Sequence, residues 1–290
     1  MKVLVSSDTS CLINYEVLKK NGISVFPLNV IIDGEEYLDG VTIDQEFLKN
    51  AMRDNKVIKT STPPLGQVVE YFEKLFEEGY DRIIHFTISS KLSSMYDLFC
   101  GVSRNYFDDK IIVIDGYSVS TLMLSHVLLA NEEVKKGTDI EKIVKMIEER
   151  KLDSYVIFVP ENLKALKNGG RISPAIAAIG NTLGLKPVIA LKEGELVKDS
   201  MTKNVRKVFM DRVDVIYNDY PLEKYDYTVI DFDAKESTLE TICEHLKNML
   251  PNYKLVRGII PINVCAHCGP GTIGLLLTPK INGNSLNDYI

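Results

Sequence analysis

The chain reads as an α/β protein built from two unlike halves. Short continuous apolar runs alternate with helix-like stretches through the first half, as in a parallel sheet covered by helices on both faces. Beyond about residue 152 strand candidates outnumber helices, as in a mixed sheet with helices on one side. A length of 290 residues suits two domains better than one. We therefore expect domains over 1–152 and 153–290.

In chain order, Lys2–Val5 predicts a strand, and Asp8-Thr9-Ser10 offers three N-cap candidates for a helical stretch to Lys20. Gly22 closes that helix, and Ile23–Ile32 reads as one strand ending at the Asp33-Gly34 turn. Helical patterns follow at Gln45–Arg53, Gly66–Glu78, Leu92–Tyr106, Val119–Lys136 and Ile140–Arg150, with strands at Arg82–Thr87 and Lys110–Asp115. In the second half strands are expected at Tyr155–Val159, Lys186–Leu191, Glu195–Val197, Tyr227–Phe232, Leu255–Ile262 and Gly271–Thr278. The helices expected between them are Pro174–Leu183, Asn204–Tyr217 and Leu239–Asn248.

Composition narrows the function. A net charge of −6 argues against nucleic acid as the main partner, because phosphate binding wants a basic face. Five scattered cysteines are too few and odd in number for a disulfide scaffold, which predicts a reducing, cytoplasmic setting. The N-terminus turns polar after Val3-Leu4-Val5, unlike a secretory leader, and no apolar run approaches the roughly 18–20 residues of a membrane span. There is no Walker-type phosphate loop and no zinc-protease motif.

Four segments could carry chemistry. Thr60-Ser61-Thr62-Pro63-Pro64 sets three hydroxyls ahead of a helix, and reads either as a capping turn or as part of an anion site. Thr87-Ile88-Ser89-Ser90-Lys91-Leu92-Ser93-Ser94 lies between a strand and a helix, where open α/β sheets hold their ligands. Its hydroxyls and helix N-terminus can bind a carboxylate or phosphate without supplying a full charge. Gly169-Gly170-Arg171-Ile172-Ser173-Pro174 leads into Ala175–Gly180, a stretch apolar on every face. That stretch is either a plain core helix or a wall, carrying Ile176 and Ile179, that leaves room for an apolar ligand.

The fourth segment, Cys265-Ala266-His267-Cys268-Gly269-Pro270-Gly271-Thr272-Ile273-Gly274, invites three misreadings. Its glycines match a dinucleotide fingerprint, but only 16 residues follow Gly274, too few for a βαβ unit. Its Cys265/Cys268 pair lacks a second ligand pair for zinc, and stands too late in the chain for a thioredoxin-like dithiol, so no metal is expected. A Ser93–His267 hydrolase pairing lacks the nucleophile elbow G-x-S-x-G. His267 stays open between a structural histidine and a hydrogen-bonding or proton-carrying group beside a glycine loop.

In this order the segments resemble the DegV family of bacterial fatty-acid-binding proteins. The resemblance runs from Val3 to about Lys280. It is carried by Ser6-Ser7-Asp8-Thr9, Phe26–Val30 with Asp33–Gly40, Thr60–Pro63, Ser89–Ser93, Leu166–Ser173 and His267–Gly274. It implies a Rossmann-like parallel-sheet domain joined to a two-layer α/β domain with a mixed sheet, and a long-chain fatty acid buried between them. It further implies a carrier without turnover of its own, which presents the fatty acid carboxylate to a separate fatty acid kinase on the way to phospholipids. No other cofactor is implied, and the setting is compatible with transient membrane contact. On this resemblance Thr60 and Ser93 hold the carboxylate, with Ser61, Ser94, His267 and Gly269 nearby and Arg171 close to the head-group or kinase-docking surface.

The chain departs from the family pattern at Ser7-Asp8, at Ser93-Ser94-Met95-Tyr96, and at Met201, which stands about where an arginine is common. Burying some sixteen carbons at about 0.8 kcal/mol per CH₂ offers on the order of 10 kcal/mol before association costs. A Ser93/His267 acyl hydrolase and a regulatory module for another amphiphile are the alternatives.

Overall fold

The computed structural model describes residues 1–11, 14–174, 176, 184–250 and 255–290. Its strands are β1 (Val3–Asp8), β2 (Ser24–Phe26), β3 (Asn29–Ile32), β4 (Glu35–Leu38), β5 (Ile58–Ser61), β6 (Arg82–Thr87), β7 (Ile111–Asp115), β8 (Tyr155–Val159), β9 (Lys186–Lys192), β10 (Glu195–Thr202), β11 (Tyr225–Phe232), β12 (Val256–Ile259) and β13 (Thr272–Pro279). They form three sheets, ordered β2-β1-β6-β7, β10-β9-β8-β13-β11-β12 and β4-β3-β5.

The first sheet is parallel throughout, as expected. Its strands present apolar side chains alternately to each face. Val5, Ile84 and Ile114 pack with the helices Ser120–Lys135 and Ile140–Arg150. Leu4, Ile83 and Ile111 pack with Leu65–Glu77 and Met95–Tyr106 on the other side. The Ser120–Lys135 helix is buried almost all round, because it also leans on the second sheet: a Cβ on Gly258 in β12 would lie 3.1 Å from Thr121 Cγ2.

The second sheet is mixed. Strand β13 runs antiparallel to β8 and β11, while β11 and β12 are parallel. The helices Val205–Ile216 and Glu236–Met249 cover one face, packing Phe209, Val213, Leu239 and Ile242 against Val188, Val229, Leu275 and Leu277. The α/β class with a parallel N-terminal sheet and a mixed C-terminal sheet is therefore observed.

Three local expectations are corrected. Ile23–Ile32 is not one strand: the chain leaves the parallel sheet at Phe26, and after Pro27, which lacks the N–H a ladder needs, it enters the small antiparallel sheet at Asn29. Thr60 and Ser61 are not a capping turn. They end β5, opposite Val30 and Asn29, and the Leu65–Glu77 helix starts from Pro64 with no side-chain cap. Leu255–Ile262 splits at Ile260-Pro261 into β12 and a helix, Ile262–Cys268, so His267 sits on a helical turn rather than in a glycine loop. Most of the expected Pro174–Leu183 helix, including Ile179, lies outside the described residues. Strand β10 runs on to Thr202 beyond a hairpin turn at Glu193-Gly194, both at positive φ.

Candidate functional site

The uncovered face of the second sheet meets the loops of the first across a cavity of about 170 Å³. Ile230, Leu276, Val156, Phe158, Leu191 and Leu196 supply its floor from five successive strands. Leu28, Ile88, Leu92, Met95 and Val119 close it from the N-terminal half. Hydroxyls and amides gather at its polar part: Asn29, Thr60, Ser61, Ser93, Ser94, Asn263 and His267, with Arg171 the one charged side chain among the described lining residues.

Each polar group has a structural reason to be there. The 87–94 loop follows β6, and carboxylates beneath it hold its backbone. Asp8 Oδ2 accepts the Ile88 N–H at 2.7 Å, and Asp115 Oδ1 accepts that of Ser90 at 3.0 Å. Ser93 N–H donates back to Ser89 O at 3.1 Å, so the loop curls into a turn before the helix at Met95. Asp8 is fully buried, and burial pushes its carboxyl up to about 6 despite the N–H donors of Ile88 and Ser10. The second hydroxyl loop arrives from β5. Thr62 Oγ1 and Ser94 Oγ, 3.1 Å apart, tie the two loops together.

His267 faces Thr60: the ring Nε2 and Thr60 Oγ1 share a 2.9 Å hydrogen bond. Burial, and then the nearby Arg171 charge, holds the imidazole down to about 4, so the ring is neutral at pH 7. Its other edge is pressed against Gly169. A Cβ there would crowd His267 Nδ1, so any larger residue would push the ring from its place. Arg171 spans the gap between the Gly169-Gly170 turn and the 87–94 loop, its Nε donating to Leu92 O at 3.2 Å and its Nη1 to Gly169 O. Burial lowers the pKa of its guanidinium.

Of the residues expected from sequence, Thr60, Ser61, Ser93, Ser94, Arg171 and His267 come together in the lining. Gly269 does not line the cavity; it ends the Ile262–Cys268 helix with φ 74. Ile176 does not line it either, but is buried with Leu163, Leu166, Ile172 and Ile189. Ser173 does cap that segment, its Oγ accepting the Ile176 N–H at 3.3 Å. Asn29 and Asn263 were missed, because isolated asparagines in a strand and a short helix carry no sequence signal. Their Oδ1 atoms and Ser61 Oγ are buried without a hydrogen-bond partner, a cluster of unspent polar atoms in side chains that line the cavity.

The Cys265/Cys268 pair is buried in its helix, and among the described residues no three His, Cys, Asp or Glu side chains gather as a metal site. Among those residues no helix is long and apolar enough to cross a membrane.

A family model described as "Uncharacterised protein, DegV family" matches residues 2–280. A DegV domain-containing protein of Mycoplasmopsis pulmonis is 26% identical over 290 residues, covering 100% of this chain and 99% of the relative. One from Clostridium perfringens is 29% identical over 95% of this chain and 98% of its own. Among solved structures, a fatty-acid-binding DegV family protein from Thermus thermophilus superposes with a TM-score of 0.85 at 25% identity, covering 96% of this chain and 100% of that one. A stearic-acid-binding protein from Eubacterium ventriosum gives 0.84 at 25% identity, covering 97% and 99%. DegV of Bacillus subtilis, a fatty acid binding protein, gives 0.85 at 25% identity, covering 97% and 100%. With the family model spanning nearly its whole length, this chain belongs to the DegV family.

Proposed function

We propose that this protein binds a long-chain fatty acid in the cavity between its two main sheets and acts as a carrier, not an enzyme. The observation that carries this reading is the contrast within the cavity: an apolar floor drawn from five strands, and a polar part made of hydroxyls, amides, a neutral imidazole and Arg171, with no carboxylate among the described lining residues. From β11 to β10 the floor crosses four strand spacings, about 19 Å. That span suits a long acyl chain. The solved relatives named for fatty acid binding support the same ligand class.

In this reading two folding units meet near residue 152, and the ligand lies between them. Thr60 and Ser93 receive the carboxylate, with Ser61, Ser94 and His267 beside them. Thr60 and His267 act as one unit: the neutral ring fixes the hydroxyl without placing a second full charge near Arg171. Arg171 then balances the ligand charge near the opening, where a fatty acid kinase would reach the carboxylate, in a cytoplasmic setting. A hydrolase would need His267 as a base for Ser93, but the ring is spent on Thr60.

Extraction and mass spectrometry of the purified chain tests the ligand, and a bound long-chain fatty acid is the expected result. Delipidated protein that neither carries a fatty acid nor takes one up overturns the proposal. Incubating loaded protein with a fatty acid kinase and ATP tests the carrier role through acyl phosphate formation. Turnover of acyl esters by the chain alone would favour the hydrolase.

A further inference from the structure

The helix that carries His267 begins without a cap of its own. Pro261 stands at its N-cap and makes no side-chain hydrogen bond, so the first N–H groups of Ile262–Cys268 need an acceptor from elsewhere. Asp39 supplies it from far away in the chain: its Oδ2 accepts the Asn263 N–H at 3.0 Å. The same Oδ2 accepts the Thr9 hydroxyl at 3.1 Å, and Thr9 Oγ1 in turn accepts the Leu28 N–H at 3.1 Å.

Asp39 is itself fixed in place. Its N–H donates to Leu28 O at 2.9 Å, and its carbonyl accepts the Tyr15 hydroxyl at 3.0 Å. It is fully buried, and among the described residues it has no ion-pair partner, so the Thr9 hydroxyl and the Asn263 N–H are what its Oδ2 holds. The neighbouring Asn263 side chain donates to Ser10 Oγ at 2.7 Å, which pins the same first turn a second time.

A helix of seven residues is too short to hold its own shape, so its position is set by the packing of Ile262, Cys265 and Cys268 in the core and by what grips its ends. One end is gripped by Asp39 and Ser10, and the other presents His267 to Thr60 at 2.9 Å. We infer that Asp39 is a positioning residue of the head-group site: its carboxylate holds the Ile262–Cys268 helix at the place where His267 Nε2 meets Thr60. The expected consequence for affinity rests on the fatty-acid reading above, whereas the consequence for the His267 ring does not.

The test compares wild type, Asp39→Ala and Asp39→Asn as full-length chains. The His267 imidazole ¹⁵N resonances are assigned with His267→Gln, binding is measured by displacement of a fluorescent fatty acid, and folding by denaturant midpoint. An asparagine keeps an acceptor for the Asn263 N–H, whereas alanine leaves it unpaired. Asp39→Ala is expected to move the His267 resonances and to weaken fatty acid binding by about tenfold or more. Asp39→Asn is expected to return the resonances to their wild-type positions and affinity to within about threefold. Unmoved His267 resonances in Asp39→Ala, or an Asp39→Asn chain no closer to wild type than the alanine variant, overturn the inference. Should Asp39→Ala not fold, Asp39→Glu carries the test. Its longer side chain displaces the helix start, so shifted His267 resonances support the inference and unshifted ones overturn it. A wild-type chain that binds no fatty acid counts against the proposed function, while the resonances still decide the role of Asp39.

Discussion

The two faces of the six-stranded sheet are made of the same kind of residue and end in opposite states. Tyr227, Val229, Leu275 and Leu277 point to one side and are sealed beneath the helices Val205–Ile216 and Glu236–Met249. Ile230 and Leu276 alternate with them on the same strands and, with Val156 and Phe158 of β8, floor a cavity. Strand periodicity sends neighbours to opposite faces, but it does not say whether a face will be filled. The closed face is met by two amphipathic helices of 12 and 14 residues, long enough to cover it. The open face is met by loops, by a three-stranded sheet, by a seven-residue helix and, at Leu122, by the Ser120–Lys135 helix, which together leave its middle free. Hollowness here is a property of the cover, not of the sheet.

The sharpest way to break this comparison is to change volume on each face in turn. Leu275→Ala on the sealed face should cost about 2–5 kcal/mol of unfolding free energy by denaturant titration, because helices packed on both neighbours leave the void standing. Val156→Phe on the open face should change stability by less than about 1 kcal/mol, since the cavity absorbs the ring, yet lower fatty acid affinity by more than about tenfold. A Val156→Phe chain that is strongly destabilised but still binds ligand would show that the space is not the ligand's.

Next come the head-group residues. Thr60→Val removes a hydroxyl but keeps the shape, and leaves His267 Nε2 without its partner. Ser93→Ala removes a donor in the lining. Each should weaken fatty acid binding by about 1–3 kcal/mol in a displacement assay and leave tail burial intact. Unchanged affinity in both would move the carboxylate elsewhere in the cavity.

The third prediction concerns pH. His267 has a folded pKa of about 4, below the ordinary histidine value near 6.5, so the unfolded chain binds its proton more readily. The stability this residue contributes is therefore complete above about pH 6.5 and is lost as pH falls toward 4. The unfolding free energy of wild type relative to His267→Gln should decline across that window by up to about 1 kcal/mol per pH unit, and a flat difference would mean that the ring is not held neutral. Asp8 and Asp39 act with the opposite sign. Burial raises them to about 6 and about 7, so their contribution is greatest below the ordinary carboxylate range and is lost as pH rises through those values. Comparing single variants keeps the two trends apart. The smallest effect belongs to Thr62→Ala. Its hydroxyl pair with Ser94 is exposed, so stability should move by no more than about 0.5 kcal/mol.

Much of this was legible in the sequence. The apolar runs Arg82–Thr87 and Tyr155–Val159 and the amphipathic stretches Gln45–Arg53 and Ile140–Arg150 fold as their periodicity predicts, end to end. The two hydroxyl clusters and the histidine stood out because polar residues gather there between apolar runs. What escaped was set by partners distant in the chain. The third sheet depends on Asn29–Ile32 finding both Glu35–Leu38 and Ile58–Ser61, and strands that short announce themselves weakly. The Ile262–Cys268 helix is too short to show a period, and its cap comes from Asp39. The role of Gly169 was equally hidden. It is a steric seat for His267, which the chain delivers almost a hundred residues later.

By itself, then, the order of residues determined which segments become strands and helices, and which loops carry hydroxyls, because those depend on neighbours one to four positions away. The tertiary structure decided that Thr60 and His267, separated by 207 residues, would share a hydrogen bond, and that the apolar floor between them and the far strands would stay unfilled. The reason is physical. Periodicity fixes the direction in which a side chain points, but a cavity exists only where the elements that happen to face it are too few or too short to fill it.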